Sequence, residues 1–105
     1  MPKSTDSTKI QADWIAAIGE PTRLAIVRIL ATGEKTVSEL AKALDVEIVN
    51  VSHHLSVMRD AGLVTAVRDS RDGRFMRYTL QEVRASGAVL ELVHESGIRV
   101  MIPFS

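Results

Sequence analysis

The sequence predicts a mainly α-helical domain with one β-hairpin. Three observations point there: apolar residues recur at helical spacing in four stretches before Gly62, β-favouring residues flank a charged turn between Val64 and Leu80, and a helical pattern resumes at Gln81. With 105 residues, the chain is expected to form one domain with a modest core, for which a second copy would add useful burial.

The elements follow in order. Residues 1–8 are polar, rich in Ser and Thr, and read as a flexible N-terminal arm. Ile10, Trp14, Ile15 and Ile18 then form a helical stripe closed by Gly19. Pro21 suits the first turn of a second helix, where its missing N–H would have no partner, and Leu24, Ile26, Val27, Ile29 and Leu30 give that helix a broad apolar side ending at Gly33. Thr36 with Glu39 three residues later spells a capping box for a third helix, whose buried side is Val37, Leu40, Ala41 and Leu44. After a brief turn at Asp45 and Val46, the residues Ile48, Val51, Leu55 and Met58 define the buried side of a fourth helix ending at Gly62. A hairpin follows with its turn at Asp72-Gly73, and then a fifth helix from Gln81 to about Ser96. Residues 9–97 form the domain, and 98–105 are an apolar tail expected to pack on a neighbour.

Composition narrows the function classes. Thirteen basic and thirteen acidic residues cancel, so no global field draws the chain to a polyanion, and such a partner must be held by a local patch. Without Cys there is no disulfide, thiolate metal site or cysteine nucleophile, which leaves a cytoplasmic location as the expectation. No stretch has the apolar length of a signal peptide core or a membrane span. An enzyme is disfavoured as well. There is no Gly-rich phosphate loop, and Ser52 and His53 are neighbours on one helix, about 100° apart around its axis, too far apart to act as nucleophile and base.

Three helices, a tight turn, a further helix, a β-hairpin and a last helix, α-α-α-α-β-β-α, is the order of a winged helix-turn-helix, in which the second helix of the pair enters the major groove. IGEPTRLAIVRIL and VSHHLSVMRDAGLV resemble the second helix and the recognition helix of the ArsR/SmtB family of bacterial repressors, and the likeness runs from about Trp14 to Leu80. The resemblance implies a homodimeric transcriptional repressor binding double-stranded DNA at a palindromic operator. It also implies that the first and last helices form the dimer interface, for which Trp14, Ile15, Ile18, Val89, Leu92 and Val93 are the candidates. The chain departs from the family where Ile48 and Val49 replace the usual polar residues, and its wing is a few residues longer.

Opposite the buried side of the fourth helix stand Val49, Asn50, Ser52, His53 and Ser56, the candidate DNA-facing residues, with Asp60 at the end. Asn50 can make a two-pronged contact to adenine, His53 can donate to a base or a phosphate, and Val49 can touch a thymine methyl. His54, on the flank of the apolar side, reads as structural. Arg68, Arg71, Arg74 and Arg77 put four positive charges in the hairpin against Asp69 and Asp72, a set suited to gripping phosphates unless the aspartates satisfy the arginines locally.

No cofactor, metal or membrane partner is expected. Many relatives bind soft metals through a Cys-x-Cys pair at the start of the third helix, where this chain has Thr36 and Ser38. A second family site is broken by Glu82 and Arg84. Glu91, His94 and Glu95 would share one side of the fifth helix and read mainly as a solvated stripe. The alternative function is a winged-helix module for protein–protein contacts with little DNA affinity: between Val37 and Leu80, six basic residues meet six acidic ones.

Overall fold

The computed structural model describes the backbone of residues 2–104 and the side chains of residues 7–104. Part of the arm expected over 1–8, and the last residue of the tail, lie outside the described side chains. The elements in order are α1 (Pro2–Ile18), α2 (Pro21–Leu30), β1 (Lys35–Thr36), α3 (Val37–Leu44), α4 (Ile48–Asp60), β2 (Val64–Arg68), β3 (Met76–Leu80), β4 (Val83–Ser86), β5 (Val89–Val93) and β6 (Arg99–Pro103). The helical order expected near Ile10 thus extends back to Pro2.

Local chemistry sets the helix starts. Pro21 opens α2, and the Glu20 carboxylate caps it by accepting from the Arg23 N–H at 2.9 Å. Both halves of the capping box of α3 are formed: Thr36 Oγ1 accepts from the Glu39 N–H at 3.2 Å, and Glu39 Oε1 accepts from the Thr36 N–H at 2.8 Å. Asp45 ends α3 with φ 55°, a left-handed conformation that Asp tolerates better than most residues, and three residues later α4 begins.

β1, β3 and β2 make one antiparallel sheet in the order β1-β3-β2, with Ala66 opposite Tyr78 and Lys35 on the other side of Tyr78. The hairpin β2–β3 is the wing. Its turn closes between Asp72 and Phe75, one residue beyond the expected place, through a 3.1 Å bond from the Phe75 N–H to the Asp72 carbonyl.

The chain departs from expectation after Gln81. Where a fifth helix was predicted, β4, β5 and β6 form an antiparallel meander in the order β4-β5-β6. The final helix of α-α-α-α-β-β-α is therefore replaced by three strands. The physical reason lies in the alternation. Leu90 and Leu92 are 0% and 1% exposed, while Glu91 between them looks to the other face and meets Arg99 at 3.5 Å. Gly87, with φ 60°, takes the first place of a two-residue turn between Ser86 and Val89 that a Cβ-bearing residue would strain. The tail expected to pack on a neighbour instead supplies β6 within the chain's own sheet, with Ile102 buried opposite Leu90.

One continuous core joins these parts. Trp14 and Ile18 from α1, Ile26 and Val27 from α2, Leu40 from α3, Val51, Leu55 and Met58 from α4, and Leu90, Leu92 and Ile102 from the C-terminal sheet are all buried in it. The meander is tied to α1 by Gln11, whose Nε2 donates to Ser96 Oγ at 3.0 Å, and to α2 by Arg28, whose Nε donates to the Pro103 carbonyl at 3.1 Å.

Candidate nucleic-acid interface

The fourth helix is a rod seated on one side only. Val51, Leu55 and Met58, at most 1% exposed, anchor it, and the opposite strip carries Val49, Asn50, Ser52, His53 and Ser56, all exposed. Ile48, expected on the buried side, is instead 54% exposed, because the first turn of α4 projects past the core. Arg59, three residues beyond Ser56, extends the exposed strip with a cation that the sequence reading passed over; the i, i+3 step from Ser56 is the signal that marks it.

His54 holds the rod to α2. Its Nδ1 lies 3.2 Å from Arg23 Nη1 and 3.7 Å from Glu20 Oε2. Since a guanidinium only donates, Nδ1 accepts and the ring proton sits on Nε2. Arg23 is itself fixed by the carbonyls of Ala17 and Ala16. The Glu20 carboxyl is held below its ordinary range, first by the Arg23 backbone N–H and then by the Thr22 N–H and the nearby Arg23 guanidinium. The structural role expected for His54 matches this geometry, while Glu20 and Arg23 are supporting residues that the sequence reading did not single out.

In the wing, carboxylates compensate half of the positive charge. Arg77 places Nε 2.9 Å from Asp69 and reaches Glu39 at 3.8 Å and Glu34 at 3.9 Å, so it ties the base of the wing to the start of α3 instead of facing outward. Arg74 grips Asp72 with two prongs at 3.0 and 2.8 Å, and its guanidinium lies 5.8 Å from the centre of the Phe75 ring. Asp69 is held below its ordinary value, first by the Arg71 backbone N–H and next by Arg77; Asp72 is lowered by the Arg74 guanidinium. The same pairs raise Arg74 and Arg77. Arg68 donates to the neutral Gly73 carbonyl and keeps its charge uncompensated, and the Arg71 guanidinium has no protein partner among the described residues. Arg68 and Arg71, like Arg59 on α4, have no carboxylate partner among the described residues.

The residues expected at a dimer contact fall in two groups. Trp14, Ile18 and Leu92 are 1%, 5% and 1% exposed within a single chain, which leaves them almost no surface to offer a partner. Trp14 packs against His94, ring centres 5.4 Å apart. Ile15 is 43% exposed on the outer side of α1, and Val89 and Val93 are half-buried in β5. A two-helix interface with a fifth helix is not available, since β4–β6 stand in its place.

The same change disperses the acidic and histidine stripe. Glu91 pairs with Arg99, His94 is 7% exposed with Nδ1 accepting from the Ser96 N–H at 3.0 Å, and Glu95 lies in the turn beyond. Among the described residues no three His, Asp or Glu side chains gather as a metal site, and no helix is long and apolar enough to cross a membrane.

Comparison with known proteins bears on this geometry. Residues 20–66 match the family described as bacterial regulatory protein, arsR family. Over 95 residues, 90% of this chain and 77% of its relative, the sequence is 32% identical to the HTH-type transcriptional regulator NmtR of Mycobacterium tuberculosis. The chain belongs to the arsR family of bacterial regulatory proteins. Its members are transcriptional regulators, not enzymes. The transcriptional repressor SmtB of M. tuberculosis is 36% identical over 85 residues, and the chain spans 61% of that repressor's length. Among solved structures, a homodimeric winged helix-turn-helix DNA-binding domain from Mycobacterium bovis superposes with a TM-score of 0.72 at 26% identity, over 78% of this chain and 73% of the other. The matched segment of this arsR-family chain runs from the cap of α2 through α4 into β2, the part that carries the exposed strip of α4.

Proposed function

We propose that the chain is a sequence-specific DNA-binding transcriptional repressor that acts in the cytoplasm as a homodimer on an imperfect palindrome. The observation that carries this reading is the outer strip of α4: five exposed side chains, Val49 to Ser56, on a helix whose other side is locked into the core. Asn50 addresses adenine, His53 a base or phosphate, and Ser52 and Ser56 the groove edge or backbone. Arg68 and Arg71 supply the wing's phosphate contacts, while Arg74 and Arg77 shape the wing. Two-fold symmetry would place half-sites about one helical turn, roughly 10 bp, or a multiple apart. The Mycobacterium bovis homodimer supports the dimer, and Ile15 on α1, with Val89 and Val93, offers the apolar surface for it. Repression would follow from occlusion of polymerase.

A gel-shift titration on DNA upstream of the chain's own operon, run at two salt concentrations, tests this. Asn50→Ala is expected to weaken binding roughly 5- to 150-fold, the worth of one good bidentate base contact. Because few wing cations are uncompensated, the salt slope should be shallow, near 0.9 per phosphate neutralised. Binding unchanged by Asn50→Ala and by His53→Ala would favour the protein-contact module instead.

A further inference from the structure

The first turn of α4 presents two branched aliphatic side chains that the fold does not use. Val49 is 71% exposed and Ile48 is 54% exposed, whereas Val51, two residues on, is fully buried. β-Branched residues lose side-chain freedom in a helix, and without packing they return nothing for that loss. Nor is the turn reinforced by a cap, since Glu47 precedes it with no side-chain hydrogen bond. Stability therefore gives no reason for valine at position 49.

Its position does supply a reason. Val49 stands three, four and seven residues before Ser52, His53 and Ser56, on the strip that the DNA-binding reading turns toward the major groove. The apolar feature a base displays there is the C5 methyl of thymine; cytosine puts an amino donor and a bare C5 on the corresponding edge. A purine edge against an aliphatic chain would lose water from its acceptors without gaining a partner. We propose that Val49, flanked by Ile48, reads thymine methyl groups, so that each half-site carries thymine where the start of α4 meets the groove. This rests on the DNA-binding reading and makes it specific: the polar residues read donors and acceptors, and the first turn reads methyls.

The test uses the full chain and duplexes it enriches from a randomised pool. Each thymine of a half-site is replaced in turn by deoxyuridine, which keeps the pairing and the hydrogen-bonding edge but lacks the methyl, and affinity is read by fluorescence anisotropy. At one or two positions the parent protein should weaken about fourfold, the effect of one methyl-sized group left in water. Val49→Ala, at an exposed site where Ala is a better helix former, should keep the parent's circular dichroism and lose that sensitivity. Replacing the same thymine by 5-methylcytosine should cost less than replacing it by cytosine. Equal affinity for thymine and deoxyuridine at every position overturns the inference, as does full sensitivity retained by Val49→Ala. Failure to enrich any duplex overturns the DNA-binding reading itself, an outcome distinct from enrichment without methyl dependence.

Discussion

Replacing Trp14 by Ala separates a residue of the single-chain core from a residue of a subunit contact. Trp14 is 1% exposed in one chain, tilted against the His94 ring at 5.4 Å and joined in the core by Ile18, Leu90 and Leu92. Removing an indole from such a site takes away its transfer energy and leaves a cavity, for a loss of about 3–5 kcal/mol. A domain of this size has only about 5–15 kcal/mol in total, so Trp14→Ala should lower the melting temperature by at least about 12 °C. The assay is urea unfolding by circular dichroism over a hundredfold range of protein concentration, beside light scattering of the native state. The deficit should appear at every concentration, because it belongs to each chain. Ile15→Glu, on the exposed side of the same helix, should instead shift the monomer–dimer balance and leave the intrinsic stability of the monomer within about 1 kcal/mol of the parent. A Trp14→Ala protein that is monomeric yet as stable as the parent would refute the reasoning and return Trp14 to the interface.

Three other expectations follow from the same geometry. Arg71→Ala should reduce the salt slope of DNA binding by about one, whereas Arg74→Ala, whose charge Asp72 already compensates, should change it less; equal slopes for the two variants would count against the pairing. Asp69, Asp72, Glu20 and Glu39 are all held below their ordinary values of 3.8 for Asp and 4.5 for Glu, so the stability they confer is complete above those values and is lost as pH falls through the lower folded-state ones. The urea midpoint should therefore drop as pH falls below 4.5 and more steeply below 3.8, the latter fall being smaller in Asp69→Asn, and a flat profile would contradict the assignment. Thr36→Ala should cost about 1 kcal/mol by removing one half of the capping box of α3, read by the same unfolding assay.

Much of the helix-turn-helix is visible in the sequence, because its signals are local. Pro21 marks the start of α2 because its missing N–H needs no partner in a first turn, and Thr36 with Glu39 marks the start of α3 through bonds made within three residues. The spacing of Val51, Leu55 and Met58 marks a face that the core accepts. The segment after Leu80 reads as a helix because Val83, Ala88, Val89, Leu92 and Val93 fit a loose helical stripe as well as a strand pattern. The deciding features were the alternation Leu90-Glu91-Leu92 and the two glycines, Gly87 and Gly97, that punctuate a meander at positive φ. Ile48 was misplaced because periodicity alone does not say where a helix leaves the core. The wing's charge state was out of reach too: Arg77 joins Asp69, Glu34 and Glu39 from two loops and α3, and only the folded chain brings those carboxylates together.

The most direct test of the central claim is an amide chemical-shift titration of the isotopically labelled chain with a duplex it has enriched. The largest perturbations should fall on Val49 to Ser56 and Arg59 of α4 and on Arg68 and Arg71 of the wing, with β4–β6 little changed. Perturbations centred on the C-terminal sheet, with the outer strip of α4 silent, would contradict it.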